Sequence, residues 1–469
     1  MAENEENPGS SIDNIPYEIL NQIISLIPLK EATRTIILSS SWKHLWTPLQ
    51  VFLNINSDQT TSQQSGQQMN HFISSFLNTY QNSYQILNLS LIKPKGHVVG
   101  DQETLFLKAI KGVNKELYIT FHGEIENPKV FGLSIELSLC ENDHFCSLKT
   151  LHLRSITSRA GSFLPALFSS CRNLETLSLE KCSGLQYIDL KAHDSLLKKF
   201  VVLDCEKMAS VTISSAPKLK CFLYRGTLVK IVFKDVPNLC DVTLNLKGTF
   251  EVAGDHGDFD SCEDDLVPLL ASLKDIEVLT LSGWLLEWLC TRETTFDDVD
   301  FKFDKLKDLS WIDGCMNEQK RDSLACFLSL TPSLENLFIK IDEKWSPLQS
   351  PHFHRSWPQI RTAKSQKDSH LEHLKMVKFF GFKIEEENQN LIWLMDFLLK
   401  KAITIKKMSV TTPENKVSWW VSKVPQSHLK KMASTTSSCN SSKSPLILSL
   451  NHKCCFQLTA VNDNDKFML

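Results

Sequence analysis

The sequence predicts an α/β solenoid: one parallel β-sheet built from repeated short strands, with strands and helices mixed on its convex side. Two observations predict it. A phrase of the form Leu-x-x-Leu-x-Leu, with Ile, Val or an aromatic substituting, recurs through most of the 469 residues. Between 174 and 239 its copies start at 174, 197, 219 and 239, a spacing at which each unit must bury its apolar face on the next. A third observation sets the ends. An Ile-, Leu- and Trp-rich helical stretch precedes the array, and a strand–helix–strand pattern follows it.

The first 11 residues, MAENEENPGSS, are acidic and polar and read as a disordered tail without a secretory signal. Residues 13 to 46 then carry Ile15, Ile19, Leu20, Ile23, Ile24 and Ile27 at helical offsets. Asp13 or Asn14 can cap this helix, Pro16 suits its first turn, and Pro28 stops it. A second helix runs through Ala32, Thr35, Ile36 and Leu38, and a third carries Trp42, Leu45 and Trp46. Three helices this short cannot bury so much apolar surface among themselves. The surplus needs a neighbour or a partner.

The order of residues in this stretch, hydrophobic-Pro-x-Glu-Ile-Leu, Ile-Pro-x-Lys-x-Ala, Arg-Thr and Leu-Ser-x-x-Trp-x-x-Leu-Trp, resembles the F-box of plant F-box proteins. It departs at three places: Ile15 stands for the usual Leu, Tyr17 for an acidic residue, and Ser40-Ser41 for a basic pair. We assign the F-box to residues 12–50. The resemblance implies docking on a Skp1-type protein, and through it on a cullin. Ile15, Pro16, Ile19, Leu20, Ile23, Pro28, Leu38 and Trp42 match the family's partner-binding positions.

Residues 51–343 form the solenoid. After a Ser/Thr/Gln-rich hinge, a helix is expected over 67–80. The phrase then runs Ile86-x-x-Leu89-x-Leu91, Leu148-x-x-Leu151-x-Leu153, Leu174-x-x-Leu177-x-Leu179, Leu197-x-x-Phe200-x-Val202 and Leu219-x-x-Phe222-x-Tyr224. It continues from Leu239, Ile276, Leu306, Leu334 and Leu374. The spacing is that of leucine-rich repeats. Cys182 and Cys205 fall where such repeats place an Asn or Cys, and are expected in the core. Half-phrases from Leu185, Met208 and Leu228 predict a second strand on the convex side, whereas a helix is expected over Gln319 to Leu330.

Residues 251–265, EVAGDHGDFDSCEDD, read as an exposed acidic loop, and 344–370 as a linker. From 373 to 412 the pattern is strand, turn, helix, strand, with the helix expected from about Glu386 to Lys401. Acids come first and lysines last, as the helix dipole prefers. This stretch resembles the FBD module of plant F-box/leucine-rich-repeat proteins, so 344–415 is read as linker plus FBD-like unit. The remainder, 416–469, holds the Ser/Thr-rich run 430–446 and is expected to be a disordered tail in which 446–450 and 455–461 pair only weakly.

The chemistry points away from catalysis. No nucleophile elbow, zinc-helix, phosphate-loop or kinase motif is present, and the 14 cysteines include no C-x-x-C pair. No enzyme activity, metal or cofactor is expected. With 51 basic against 54 acidic residues and no run of about 18 apolar ones, neither nucleic acid nor a membrane is an expected partner. Nucleus and/or cytoplasm is the expected location. The reading is a substrate-recognition adaptor of an SCF-type (Skp1–cullin–F-box) ubiquitin ligase, with the repeats holding a protein substrate. The alternative is a protein-binding scaffold with a decayed F-box, favoured by Tyr17 and Ser40-Ser41. Substrate contacts are expected from outward strand positions: His152, Arg154, Ser178, Glu180, Lys199, Arg225, Asp241, Asn245, Asp308 and Lys340.

Overall fold

The computed structural model describes residues 15–16, 19–20, 50–55, 84–92, 113–122, 148–155, 163–247, 266–291, 299–342, 371–382, 388–402, 404–411, 417–423, 446–450 and 454–460. The N-terminal tail, most of the F-box, the helix expected over 67–80, the acidic loop and the linker lie outside the described residues. The chain divides into two compact units, 1–220 with 232–238 and 221–231 with 239–469.

In the first unit the strands are β1 (Gln50–Ile55), β2 (Tyr84–Ile92), β3 (Val113–His122), β4 (Thr150–Arg154), β5 (Thr176–Glu180), β6 (Tyr187–Lys191), β7 (Lys199–Leu203) and β8 (Ser210–Ser215). Helix α1 (Phe163–Ser170) joins β4 to β5. The main sheet runs β1-β2-β3-β4-β5-β7, all parallel. Its register stacks Leu117, Leu151, Leu177 and Phe200 in one row and Ile119, Leu153, Leu179 and Val202 in the next. All eight are buried. At roughly 1.5–3 kcal/mol for each such side chain, these rows are the main drive for stacking. β6 and β8 pair in parallel as a separate layer, as the half-phrases predict.

The turn out of each strand repeats too. Ser155, Lys181 and Asp204, two residues past the last inward side chain, all adopt left-handed φ angles of 49–57°. In the second and third of these turns a cysteine follows, pointing back. Cys182 Sγ donates to the Leu153 carbonyl at 3.5 Å and Cys205 Sγ to the Leu179 carbonyl at 3.6 Å. The neighbouring Cys182 sulfur and burial push the Cys205 thiol up, so it stays protonated. These are core cysteines.

The second unit contains β9 (Cys221–Thr227), β10 (Lys230–Phe233, its last two residues in the first unit), β11 (Asp241–Lys247), β12 (Val278–Ser282), β13 (Asp308–Asp313), β14 (Asn336–Ile341), β15 (Met376–Phe380), β16 (Lys407–Thr411), β17 (Val417–Lys423), β18 (Leu446–Leu450) and β19 (Cys454–Ala460). Its helices are α2 (Leu266–Ser272), α3 (Gly283–Thr291), α4 (Glu318–Phe327) and α5 (Asn388–Lys401). The sheet runs β9-β11-β12-β13-β14-β15-β16-β17-β19-β18, parallel as far as β16. Trp311 takes an inward position where most repeats carry Leu, Val or Ile, and it is fully buried. Gly283 makes the room: a Cβ there would lie 2.3 Å from the Trp311 ring.

The helix expected over Gln319 to Leu330 is α4 followed by a 3-10 turn at Leu328–Leu330. Asn317 caps it, accepting the Lys320 N–H at 2.7 Å. The α5 face is as predicted, with Leu391, Leu394, Met395, Leu398 and Leu399 buried. Its described residues begin at Asn388, and the acids expected at its start lie outside the described residues.

Within 416–469 the described residues form three strands, at Val417–Lys423, Leu446–Leu450 and Cys454–Ala460, the last two where the sequence expects weak pairing. β17 pairs antiparallel with β16 and with β19, and β19 with β18. Val417, Trp419, Trp420 and Val421 are residues that favour strands, but they do not fit the Leu-x-x-Leu-x-Leu phrase.

Candidate protein-binding face

Because side chains alternate along a strand, each inward leucine leaves its neighbours on the outer face of the sheet. In the first unit, register places Tyr118, His152 and Ser178 side by side, with Thr120, Arg154 and Glu180 in the next row. Glu180 is the hub. Its carboxylate lies 3.6 Å from His152 Nε2 and 3.5 Å from Arg154 Nε. Tyr118 stacks obliquely on His152, ring centroids 5.8 Å apart, and donates its hydroxyl hydrogen to Glu116 at 3.0 Å. Lys199, on β7, is exposed opposite Thr176.

Burial lowers the His152 pKa, Glu180 opposing and Arg154 adding. His152 is therefore neutral near pH 7, and its contact with Glu180 is an ion pair only in acid. Burial and Glu116 both raise the Tyr118 pKa, which keeps the phenol a donor. The cluster thus offers one guanidinium, two carboxylates, a neutral imidazole and a phenol.

In the second unit, Arg225 neighbours Asn245, Asp308 accepts from Asn336 Nδ2 at 2.6 Å, and Lys340 pairs with Asp342 at 3.3 Å. Asp241 sits in register between Cys221 and Val278. Of the ten outward positions, the structure brings together His152, Arg154, Ser178 and Glu180, and sets Arg225 beside Asn245. Two are corrected: Ser178 and Asn245 are 7% and 8% exposed. Register sets Ser178 between His152 and Val201, and Asn245 beside Arg225. Their short side chains are shaded, and neither presents much surface to a large ligand.

Sequence reasoning missed Tyr118, Glu116, Phe338, Lys378 and Phe380 on the outer face. It also missed a charge ladder just ahead of the strands. Glu175 lies between Lys149 and Lys198 at 3.4 and 2.6 Å, while Lys307 reaches Glu277 at 3.0 Å and Lys375 reaches Glu335 at 2.7 Å. The signal was available, since each of these residues follows the first Leu or Ile of its phrase. Exposed pairs of this kind contribute little each, but they penalise a slipped register.

At the N-terminus, the Ile19 and Leu20 N–H groups both donate to the Pro16 carbonyl, at 3.0 and 3.1 Å, so Pro16 opens a helical turn as expected. Ile15 is half-buried and Pro16 exposed. Leu20 is 3% exposed whereas Ile19 is 47% exposed. Leu20 is therefore core within the chain itself, while Ile19 faces solvent. Ile23, Pro28, Leu38 and Trp42 lie outside the described residues.

Among the described residues no group of three His, Cys, Asp or Glu side chains gathers as a metal site, and no helix is long and apolar enough to cross a membrane.

Comparison with known proteins agrees with this architecture. The family model described as the LRR domain of At1g61320/AtMIF1 matches residues 137–448, and that of the F-box domain matches 12–54. The repeat match runs through the unit set apart above as FBD-like. The chain is 23% identical over 424 residues to the F-box/LRR-repeat protein At3g18150 of Arabidopsis thaliana, covering 87% of this chain and 88% of that protein. It is 23% identical over 426 residues to the F-box/LRR-repeat protein At5g02910 of the same plant, covering 86% and 89%. It is 25% identical over 276 residues to the FBD-associated F-box protein At1g61330, also of that plant, covering 57% and 58%.

Proposed function

Since this chain belongs to the plant F-box/leucine-rich-repeat proteins, we propose that it is the substrate receptor of an SCF-type ubiquitin ligase. In this reading the F-box docks on a Skp1-type protein, which links it to a cullin, and the outer face of the repeats holds a protein substrate. Ubiquitin transfer falls to other subunits, so the chain itself is non-catalytic and works in the nucleus or cytoplasm.

The observation that carries the proposal is the exposed Ile19 beside the buried Leu20. A helical turn at the matched F-box keeps one apolar side chain for its own core and holds the next in solvent. Placing an Ile in a partner's pocket is worth about 1.5–3 kcal/mol. Ile19→Asp should therefore weaken retention of a Skp1-type protein by about tenfold to a hundredfold while leaving the melting temperature unchanged. Binding to immobilised Skp1-type protein measures this. Equal retention of wild type and variant would remove Ile19 from the contact. Retention of nothing by wild type would favour the scaffold reading that Tyr17 and Ser40-Ser41 suggest.

A further inference from the structure

The outer face of β14 and β15 alternates lysine with phenylalanine. Register pairs Phe338 with Lys378 and Lys340 with Phe380. The four side chains therefore stand at the corners of a cell about 4.8 Å across the strands and about 6.6 Å along them, with the two aromatics on one diagonal. The adjoining row sets Met376 beside Lys407 of β16, again apolar against basic. Phe338 and Phe380 are half-buried, and Lys340 is exposed. Their inward neighbours Leu337, Ile339, Val377 and Phe379 fill the core, so these strands cannot rotate to hide the aromatics.

The charge on this cell is not cancelled locally. Among the described residues Lys378 has no ion-pair partner, and the exposed Lys340 has the half-buried Asp342 at 3.3 Å. The acids of the neighbouring repeats are engaged elsewhere: Glu335 with Lys375, and Asp308 with Asn336.

We propose that this cell is the docking site for an extended peptide carrying an acidic and a large apolar side chain two residues apart. The inference rests on the substrate-receptor reading and supplies its substrate chemistry. In an extended chain, side chains on one face recur about every 6.6 Å, which is the step from Lys378 to Phe380 and from Phe338 to Lys340. Along β15, for example, the carboxylate sits over Lys378 and the apolar group over Phe380, with Lys340 and Phe338 of β14 beside them. Nucleic acid would use the same lysines, and the oligonucleotide arm of the test below separates it from a peptide.

The test uses the full chain and labelled 12-residue peptides in fluorescence anisotropy. Three copies of Glu-Ser-Leu-Ser are compared with three of Lys-Ser-Leu-Ser, three of Glu-Ser-Ser-Ser, and a 12-nucleotide oligothymidylate. The Glu/Leu peptide should bind best, and Lys340→Glu with Lys378→Glu should weaken it at least tenfold and remove its salt dependence. Phe338→Ala with Phe380→Ala should weaken it similarly but leave the salt dependence. Equal binding of the lysine peptide, tighter binding of the oligonucleotide, or no effect of the lysine pair would overturn the proposal. Skp1-type retention is measured on the same samples. Its loss with peptide binding intact would count against the receptor reading, and the reverse against the peptide site alone.

Discussion

Lys320→Met should destabilise the second unit by about 3–5 kcal/mol, the usual cost of leaving half of a buried ion pair behind. Lys320, on α4, and Asp313, at the end of β13, meet at 2.6 Å with both side chains 1% exposed. Asp313 Oδ1 also accepts the Gly314 N–H at 2.7 Å, so the pair organises the turn from strand to helix. Burial alone would pull the Lys320 pKa down. The charge and hydrogen bond of Asp313 outweigh it, and the net shift is upward. A raised lysine keeps its stabilisation below its unfolded value of 10.5 and loses it only in strong base, so the pair is intact at every physiological pH.

Two companion variants separate the causes. Asp313→Asn added to Lys320→Met removes the orphaned charge while keeping the acceptor for Gly314, and should recover much of the loss. Glu287→Gln should act in the opposite direction. Glu287 on α3 is buried, with Oε2 lacking a partner among the described residues. Burial raises its pKa, with Lys320 opposing and Asp313 adding. A carboxyl raised in the folded state is best tolerated below its unfolded value of 4.5 and becomes a cost as pH rises past it. Glu287→Gln should thus raise the melting temperature at pH 7, the gain fading toward pH 4.5. Urea midpoints and melting curves across this range measure both effects.

Gly381→Ala should be the next most damaging change, at least about 2 kcal/mol by denaturant midpoint. Gly381 ends β15 with φ +76°, where any side chain costs about 1–2 kcal/mol. A Cβ there would also lie 2.2 Å from the Ile341 carbonyl oxygen, so β14 and β15 would have to separate. Its N–H donates to the Thr411 carbonyl at 3.0 Å, which ties β15 to β16 at the same point. The residue before it is Phe380, so the substitution should also blur the lysine–phenylalanine cell. An unchanged midpoint would show that the strand end is looser than this geometry requires.

The repeat array was legible because inward residues obey a fixed phrase, and every copy read in the sequence is a strand. β1 and β3 were harder to see: Gln50 and Asn114 stand where the phrase opens with Leu, although Leu117 and Ile119 fill its other positions. The outer face was legible only as a set of positions. That His152 and Arg154 both meet Glu180 depends on register, which the varying repeat lengths leave open. Phe338 and Phe380 escaped notice because an apolar residue in a strand reads as core, and here the core positions were already taken by their neighbours. Lys320 escaped for the opposite reason. A lysine on a polar-looking helix reads as solvated, since lysine is rarely buried unless paired, and its partner lies seven residues earlier across a turn.

The most direct measurement of the central claim is co-purification of the intact chain with a purified Skp1-type protein and a cullin. The account predicts one complex containing all three, with cullin retention depending on the Skp1-type protein. If the chain retains neither protein while its repeats still capture peptide, the molecule is a binding scaffold and the receptor reading is wrong.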